Sequence, residues 1–194
     1  MNGEYPPGAT PLTPEEEEGL IPAHITTRAE LNALEQANIV EAETWILTRR
    51  NKTEVLDTAF LKLLHRRMFG QVWKWAGTYR KADRNIGVHW PKISFQIEKL
   101  CDDAKYWQRE KVYAPDEIAI RFHHKLVWIH CYPNGNGRHA RLAADLLALE
   151  LAKERFSWGA SNLDLAGDAR SRYIKALKQA DENDIRELLA FVRS

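Results

Sequence analysis

The sequence predicts an all-α fold, a helical bundle of about seven or eight helices with a short β-hairpin flap. Apolar residues recur at helical spacing along most of the chain, and proline, threonine and glycine mark where segments begin and end. The stretch 72–91 instead combines Gly, Asn, Pro and β-branched residues without a helical period, which is typical of a hairpin or an irregular flap.

The chain is predicted to consist of an N-terminal arm, residues 1–26, followed by one compact domain, residues 27–194. The arm is predicted to carry a short acidic helix at about 13–19. Thr13 suits the N-cap of that helix and Pro14 suits its first position.

Apolar periodicity and capping residues predict the helices of the domain. The segment from Pro115 to Ile129 has the most apolar stripe, so we expect that helix to be central. The predicted ranges are 28–49, about 55–69, about 93–110, 115–129, the end of the glycine turn to about 155, 171–177, and from the cap Asp184 onward.

Composition narrows the class of partner. Lys and Arg number 28 against 27 Asp and Glu, and the net charge of +1 gives no electrostatic case for a nucleic acid or a membrane surface. Two cysteines cannot form a disulfide framework. We see neither a signal-peptide pattern nor an apolar run of transmembrane length, so we expect a cytoplasmic protein.

The stretch 130–141 carries the chemistry. A predicted helix ends in a histidine, a Gly-Asn-Gly turn follows, and a second helix opens with Arg138 and Arg141. Glycines let the backbone wrap closely around an oxyanion, and a helix start offers free N–H groups. The alternative is a helix-turn-helix with solvated arginines, but glycines, amide, base and paired arginines together favour a phosphate site.

This stretch resembles the signature of the Fic family, His-x-Phe-x-Asp/Glu-Gly-Asn-Gly-Arg-x-x-Arg. The likeness continues through 64–80, which is similar to the segment before the family's flap, and through 180–184, which is similar to its closing helix pair. The version in 133–141 looks most like the subgroup called mobile mystery protein B.

The resemblance implies that the helical bundle is Fic-like. It also implies a protein adenylyltransferase that moves AMP from ATP, with Mg²⁺, onto a Ser, Thr or Tyr hydroxyl of a target protein. It implies that His130 is the general base, and the helix C-terminus is expected to raise the pKa of that imidazole. The target segment is expected to dock by strand addition on the flap residues Ile86, Gly87 and Val88. The resemblance assigns the phosphates to the backbone N–H groups and amide of the turn and to two guanidinium groups: Gly135, Asn136, Gly137, Arg138 and Arg141.

Two positions depart from the family pattern. Tyr132 replaces phenylalanine, and its hydroxyl needs a hydrogen-bond partner. Asn134 replaces the acidic residue that contacts Mg²⁺, and its amide oxygen can ligate a hard cation but carries no charge. We therefore expect weaker metal binding.

The acidic N-terminal helix resembles the family's inhibitory helix, whose glutamate pairs with the second arginine of the motif. The resemblance implies that Glu18, or alternatively Glu17, pairs with Arg141 and blocks the productive ATP pose. The other interpretation is an acidic surface helix with no regulatory role.

Two other functions stay open. One is transfer of a different phosphate-containing group by the same fold, although Gly137 argues against the family's phosphotransferase, which has lysine there. The other is a nucleotide-binding or partner-binding module with little catalysis, which Asn134 favours. An antitoxin or other regulator protein is a further expected partner.

Overall fold

A computed structural model describes residues 11–48, 55–152, 154–160, 163 and 167–194. Within these residues the chain is all-helical, which confirms the predicted class. The helices are α1 (Pro14–Glu17), α2 (Arg28–Thr48), α3 (Thr58–Phe69), α4 (Ile93–Arg109), α5 (Pro115–Ile129), α6 (Asn136–Leu151), α7 (Asp168–Asp181) and α8 (Arg186–Val192). The predicted residues 1–10 of the arm and residue 49 of the long helix lie outside the described residues.

Side-chain caps set several helix starts. Thr13 caps α1, and a capping box opens α2, where Glu30 N donates to Thr27 Oγ1 at 3.3 Å and Thr27 N donates to Glu30 Oε2 at 3.0 Å. α3 starts later than predicted, because Asp57 accepts a hydrogen bond from Phe60 N at 2.7 Å.

α5 lies at the centre of the fold. It packs against α4 on one side and α6 on the other, and α7 and α8 also touch it. Its apolar stripe, including Ile118, Phe122 and Leu126, is almost completely buried. Because the core fixes α5, the residues at its C-terminal end are held in place by the most buried part of the molecule.

The predicted β-hairpin flap is not formed; residues 80–89 follow an irregular loop. No hairpin forms because the backbone N–H groups of this loop donate to carbonyls outside it. Arg80 N donates to Cys131 O at 3.0 Å and Val88 N donates to Ile129 O at 3.2 Å, so the loop bonds to the end of α5 instead of to itself. Among the described residues, the sheet-type pairing is a single bridge between Leu20 and Trp73.

The described part of the N-terminal arm packs against the segment before the flap. Ile21 N donates to Val72 O, and Lys74 N donates to Gly19 O, both at 2.9 Å. Trp75 Nε1 donates to Glu16 O at 3.0 Å. The arm is thus joined to the domain close to the flap. None of the described helices combines the length and apolarity needed to span a bilayer.

Candidate active site

A tight turn joins α5 to α6, and two residues in it have left-handed backbones. His130 caps α5 at φ 54° and ψ 60°, and Gly135 precedes α6 at φ 78°. A Cβ on Gly135 would lie 2.6 Å from the Phe69 ring. Both the dihedral and the space therefore require glycine at this position.

Asn136 braces the turn with its side chain. Its Oδ1 accepts from Tyr132 N at 2.9 Å and its Nδ2 donates to Tyr132 O at 2.8 Å. The amide predicted to hold phosphate is therefore engaged by the backbone and buried. The backbone N–H groups of the first turn of α6 lack intrahelical partners and remain suited to an anion.

Tyr132 is fully buried, and its hydroxyl has the partner that the sequence required. The hydroxyl donates to Leu61 O at 3.2 Å, and the ring stacks on His65 with 3.6 Å between centroids. The substitution of tyrosine for phenylalanine is thus accommodated inside the core.

The two motif arginines flank the start of α6. Arg141 Nη1 is the nearest atom, at 3.8 Å, to a Cβ built on Gly137, so this guanidinium lies beside the open side of the first turn. Arg138 donates from Nη1 to Glu35 Oε2 at 2.7 Å and from Nη2 to Asn134 Oδ1 at 3.3 Å. Two cationic groups therefore border the helix N-terminus.

The expected pKa of His130 was wrong in direction. The pKa of this imidazole is lowered to about 4, mainly by burial and also by the positive charges of Arg80 and Arg84, against a raising effect from the Val127 carbonyl. The effect of burial on this pKa outweighs the raising effect expected from the helix C-terminus. The imidazole is therefore neutral at pH 7, as a general base must be.

Asn134 does not present a free metal ligand. Its Oδ1 accepts from its neighbour Gly135 N at 2.6 Å and lies 3.3 Å from Arg138 Nη2. Among the described residues, no cluster of three or more His, Cys, Asp or Glu side chains could hold a metal. These residues do not fit a protein-held Mg²⁺ site.

Glu18 is exposed at the end of α1, and its predicted pairing with Arg141 stays a prediction. Glu16 of α1 reaches the domain, where its carboxylate pairs with Arg84 of the flap. Glu35 of α2 places a carboxylate on the motif arginine Arg138 and also accepts from Trp73 Nε1 at 2.6 Å. The role predicted for the alternative residue, Glu17, stays a prediction.

The predicted flap residues lie beside the histidine. Gly87 has φ 92°, and a Cβ there would lie 2.6 Å from His130 Cβ. Val88 bonds to the backbone at Ile129, while the Ile86 side chain is 45% exposed. A segment docking on this loop would therefore lie within reach of the imidazole.

Three residues at the site, Glu35, His65 and Arg80, received no individual role from the sequence. Glu35 carried a signal, because it shares the apolar face of α2 with Leu31, and a carboxylate on such a face needs a buried partner. Buried His65 accepts at Nδ1 from Gly77 N and contacts Asn134 O through Nε2, which fixes the glycine turn. Arg80 and His65 had no local signal.

The fold and this site define a helical protein with an anion-binding turn next to a buried, neutral imidazole. The chain belongs to the Fic/DOC family, whose model matches residues 55–148. The likeness to the mobile mystery protein B subgroup stays a prediction.

A curated relative, the protein adenylyltransferase Fic of Nematostella vectensis, is 31% identical over 145 residues, which make up 73% of this chain. The chain spans only 32% of that relative's length.

Solved structures show the same fold. The BepC effector of Bartonella tribocorum, crystallised with AMPPNP, has a TM-score of 0.72 at 16% identity and covers 93% of this chain and 97% of its own. Fic-1 of C. elegans has a TM-score of 0.69 at 21% identity, with 91% of this chain and 51% of that chain covered.

Proposed function

We propose that this chain transfers AMP from ATP to a hydroxyl side chain of a target protein. The observation that carries the proposal is a neutral imidazole, His130, at the start of a glycine turn that opens a helix flanked by two arginines. The similarity to adenylyltransferases and to a fold crystallised with an ATP analogue supports ATP as the donor. A Ser, Thr or Tyr acceptor, a regulator protein and a cytoplasmic location stay predictions.

The proposed reaction is a displacement at the α-phosphorus. His130 takes the proton of the target hydroxyl, its oxygen forms a bond to the α-phosphorus, and the bond to the β-phosphate oxygen breaks so that pyrophosphate leaves. The first-turn N–H groups of α6 and the guanidinium of Arg141 stabilise the growing negative charge. Mg²⁺ would enter with the triphosphate, since the residues that the structure describes supply no fitting ligand set.

The test is label transfer to proteins of a cell lysate. We expect label from ATP carrying the isotope in its α-phosphate to become protein-bound, while label in the γ-phosphate does not. Labelled UTP and CDP-choline test the alternative donors. Transfer of the γ-label, or of phosphocholine, would replace the proposed donor; no transfer from any donor would leave a binding module.

The binding module is a second candidate because Asn134 occupies the position of an acidic residue. We expect Asn134→Asp to lower the Mg²⁺ concentration for half-maximal AMP transfer by about tenfold, since a carboxylate adds charge to the ligand set. The measurement is a Mg²⁺ titration of label transfer. Asn32→Asp, an exposed residue of α2, is the matched control. If the wild type transfers AMP efficiently and Asn134→Asp does not change its Mg²⁺ requirement, Asn134 gives no reason to expect a module with little catalysis.

We propose that self-inhibition acts through the contact between Glu35 and Arg138, in addition to the pairing of Glu18 or Glu17 with Arg141 that the sequence predicts. Glu35 competes with phosphate for Arg138, since its carboxylate already bonds that guanidinium and is almost fully buried. Charge at this position therefore opposes productive nucleotide binding.

We expect Glu35→Gln to raise AMP transfer about tenfold, because the amide still accepts from Trp73 but no longer neutralises Arg138. The measurement is the initial rate of label transfer, with Glu15→Gln, an exposed glutamate of α1, as the matched charge control. Glu18→Gln and Glu17→Gln test the inhibitory residue expected from the sequence. A rate that falls with Glu35→Gln would mean that the carboxylate holds Arg138 in place instead of inhibiting. Activation by Glu18→Gln would restore the expectation from the sequence.

A further inference from the structure

Arg80 is a buried cation that bonds almost entirely to backbone carbonyls. It is 2% exposed, yet it lies at the edge of the candidate active site and is absent from the motif. Its nearest carboxylate is Asp83, at 3.8 Å from Nη1, on a side chain that is 56% exposed. A buried charge needs compensation, and here helix-end and loop carbonyls provide it.

The guanidinium joins two parts of the site. On the α5 side, Nε donates to His130 O at 2.7 Å, and Nη2 lies 3.5 Å from Ile129 O. On the flap side, Nη1 donates to Ala82 O at 2.7 Å, and Nη2 also donates to Val88 O. One rigid fork therefore fixes the flap relative to the residue that carries the imidazole.

The flap backbone is tight against His130 at this point. A Cβ on Gly87 would lie 2.6 Å from His130 Cβ and 2.8 Å from Arg80 Nη2. The left-handed backbone of His130 is held from the flap side by the same guanidinium. The distance between flap and imidazole is thus set by Arg80.

We infer that Arg80 is a positioning residue for the transfer: it holds the flap that presents the target and the backbone of His130 in one fixed arrangement. This inference rests on the proposed function, since the hydroxyl held by the flap must reach the imidazole. Placement errors of about 1 Å between reacting groups can lower a rate about 10²-fold.

The test compares Arg80→Lys with Arg109→Lys, a change at an exposed arginine of α4 away from the site. Lysine keeps the charge, but its single ammonium cannot span the carbonyls on both sides of Arg80. In Arg80→Lys we expect amide hydrogen exchange at Val88 to rise about tenfold or more, because its bond to Ile129 O loosens.

Two further readouts separate positioning from folding. We expect the ADP dissociation constant, measured by calorimetry, to stay within about twofold of wild type in Arg80→Lys. We expect the kcat of label transfer to lysate proteins to fall about 10²-fold with the KM for ATP unchanged. Arg109→Lys should leave exchange at Val88 and kcat near wild type.

Unchanged exchange at Val88 in Arg80→Lys would overturn the inference. So would exchange that rises throughout the protein with loss of ADP binding, because Arg80 would then merely support the fold. If the wild type transfers no label, the proposed function fails, and altered exchange confined to the flap would still establish that Arg80 fixes this loop.

Discussion

AMP transfer by the His130→Ala variant is expected to fall about 10²–10⁴-fold, the usual contribution of a positioned general base. The imidazole is 7% exposed and lies beside the flap, so alanine removes the proposed base and leaves the glycines of the turn unchanged. The measurement is the initial rate of transfer from α-labelled ATP. ADP binding by calorimetry should stay close to wild type, because the anion site belongs to α6.

The pH profile supplies an independent test of the same residue. With a pKa of about 4, His130 is neutral at every pH above 5, so kcat/KM should stay level from pH 6 to 8 as far as this group is concerned. His24→Ala, an exposed histidine in the described part of the arm, is the matched control. Transfer that persists unchanged in His130→Ala would remove His130 from the mechanism.

The free energy of unfolding is expected to fall steeply as the pH is lowered from 6.5 to 4. Burial holds the pKa of several histidines below the ordinary value of 6.5: His65 well below it, His123 at about 3, and His130 and His139 at about 4. The unfolded chain takes up these protons below pH 6.5, whereas the native protein does not until lower pH.

The difference in bound protons between the unfolded and native states sets the direction of the pH dependence. Stability from these groups is fully present above pH 6.5 and is lost as the pH falls towards their native pKa values. Each histidine that is neutral only in the native state contributes a slope of about 1.4 kcal/mol per pH unit in this window. Urea unfolding at pH 7.5, 6 and 5 measures the sum.

His139→Gln separates one histidine from the rest. Glutamine keeps a donor for Leu61 O, which the histidine Nε2 contacts at 2.9 Å, but takes up no proton. We expect the pH slope to drop by about one proton in this variant and to be unchanged in His24→Gln. A wild-type slope near zero between pH 6 and 5 would show that these histidines are not neutral in the native state.

Much of the fold and the motif could be predicted because the signals are local. Thr13 caps α1 and Thr27 caps α2 through bonds within three residues, and the apolar stripe of α5 placed it in the core. The turn between α5 and α6 follows from Gly135, whose backbone needs a positive φ. Each of these features depends on residues that are close together in the sequence.

The errors concern partners that are distant in sequence. Arg80 bonds to His130 O across 50 positions, and Glu35 bonds to Arg138 across 103 positions. A flap of the observed sequence could pair with itself as a hairpin, and only the carbonyls at the end of α5 draw its N–H groups and Arg80 into an irregular loop.

The sequence by itself determined the helical class, the caps and the glycine turn with its two arginines, because each depends on dihedral preference or spacing along one segment. The tertiary structure decided that His130 has a lowered pKa, that Glu35 meets the motif arginine Arg138, and that Arg80 joins the flap to the residue that carries the base. These depend on burial and on charges brought together by packing, and neither quantity is a property of any single stretch of chain.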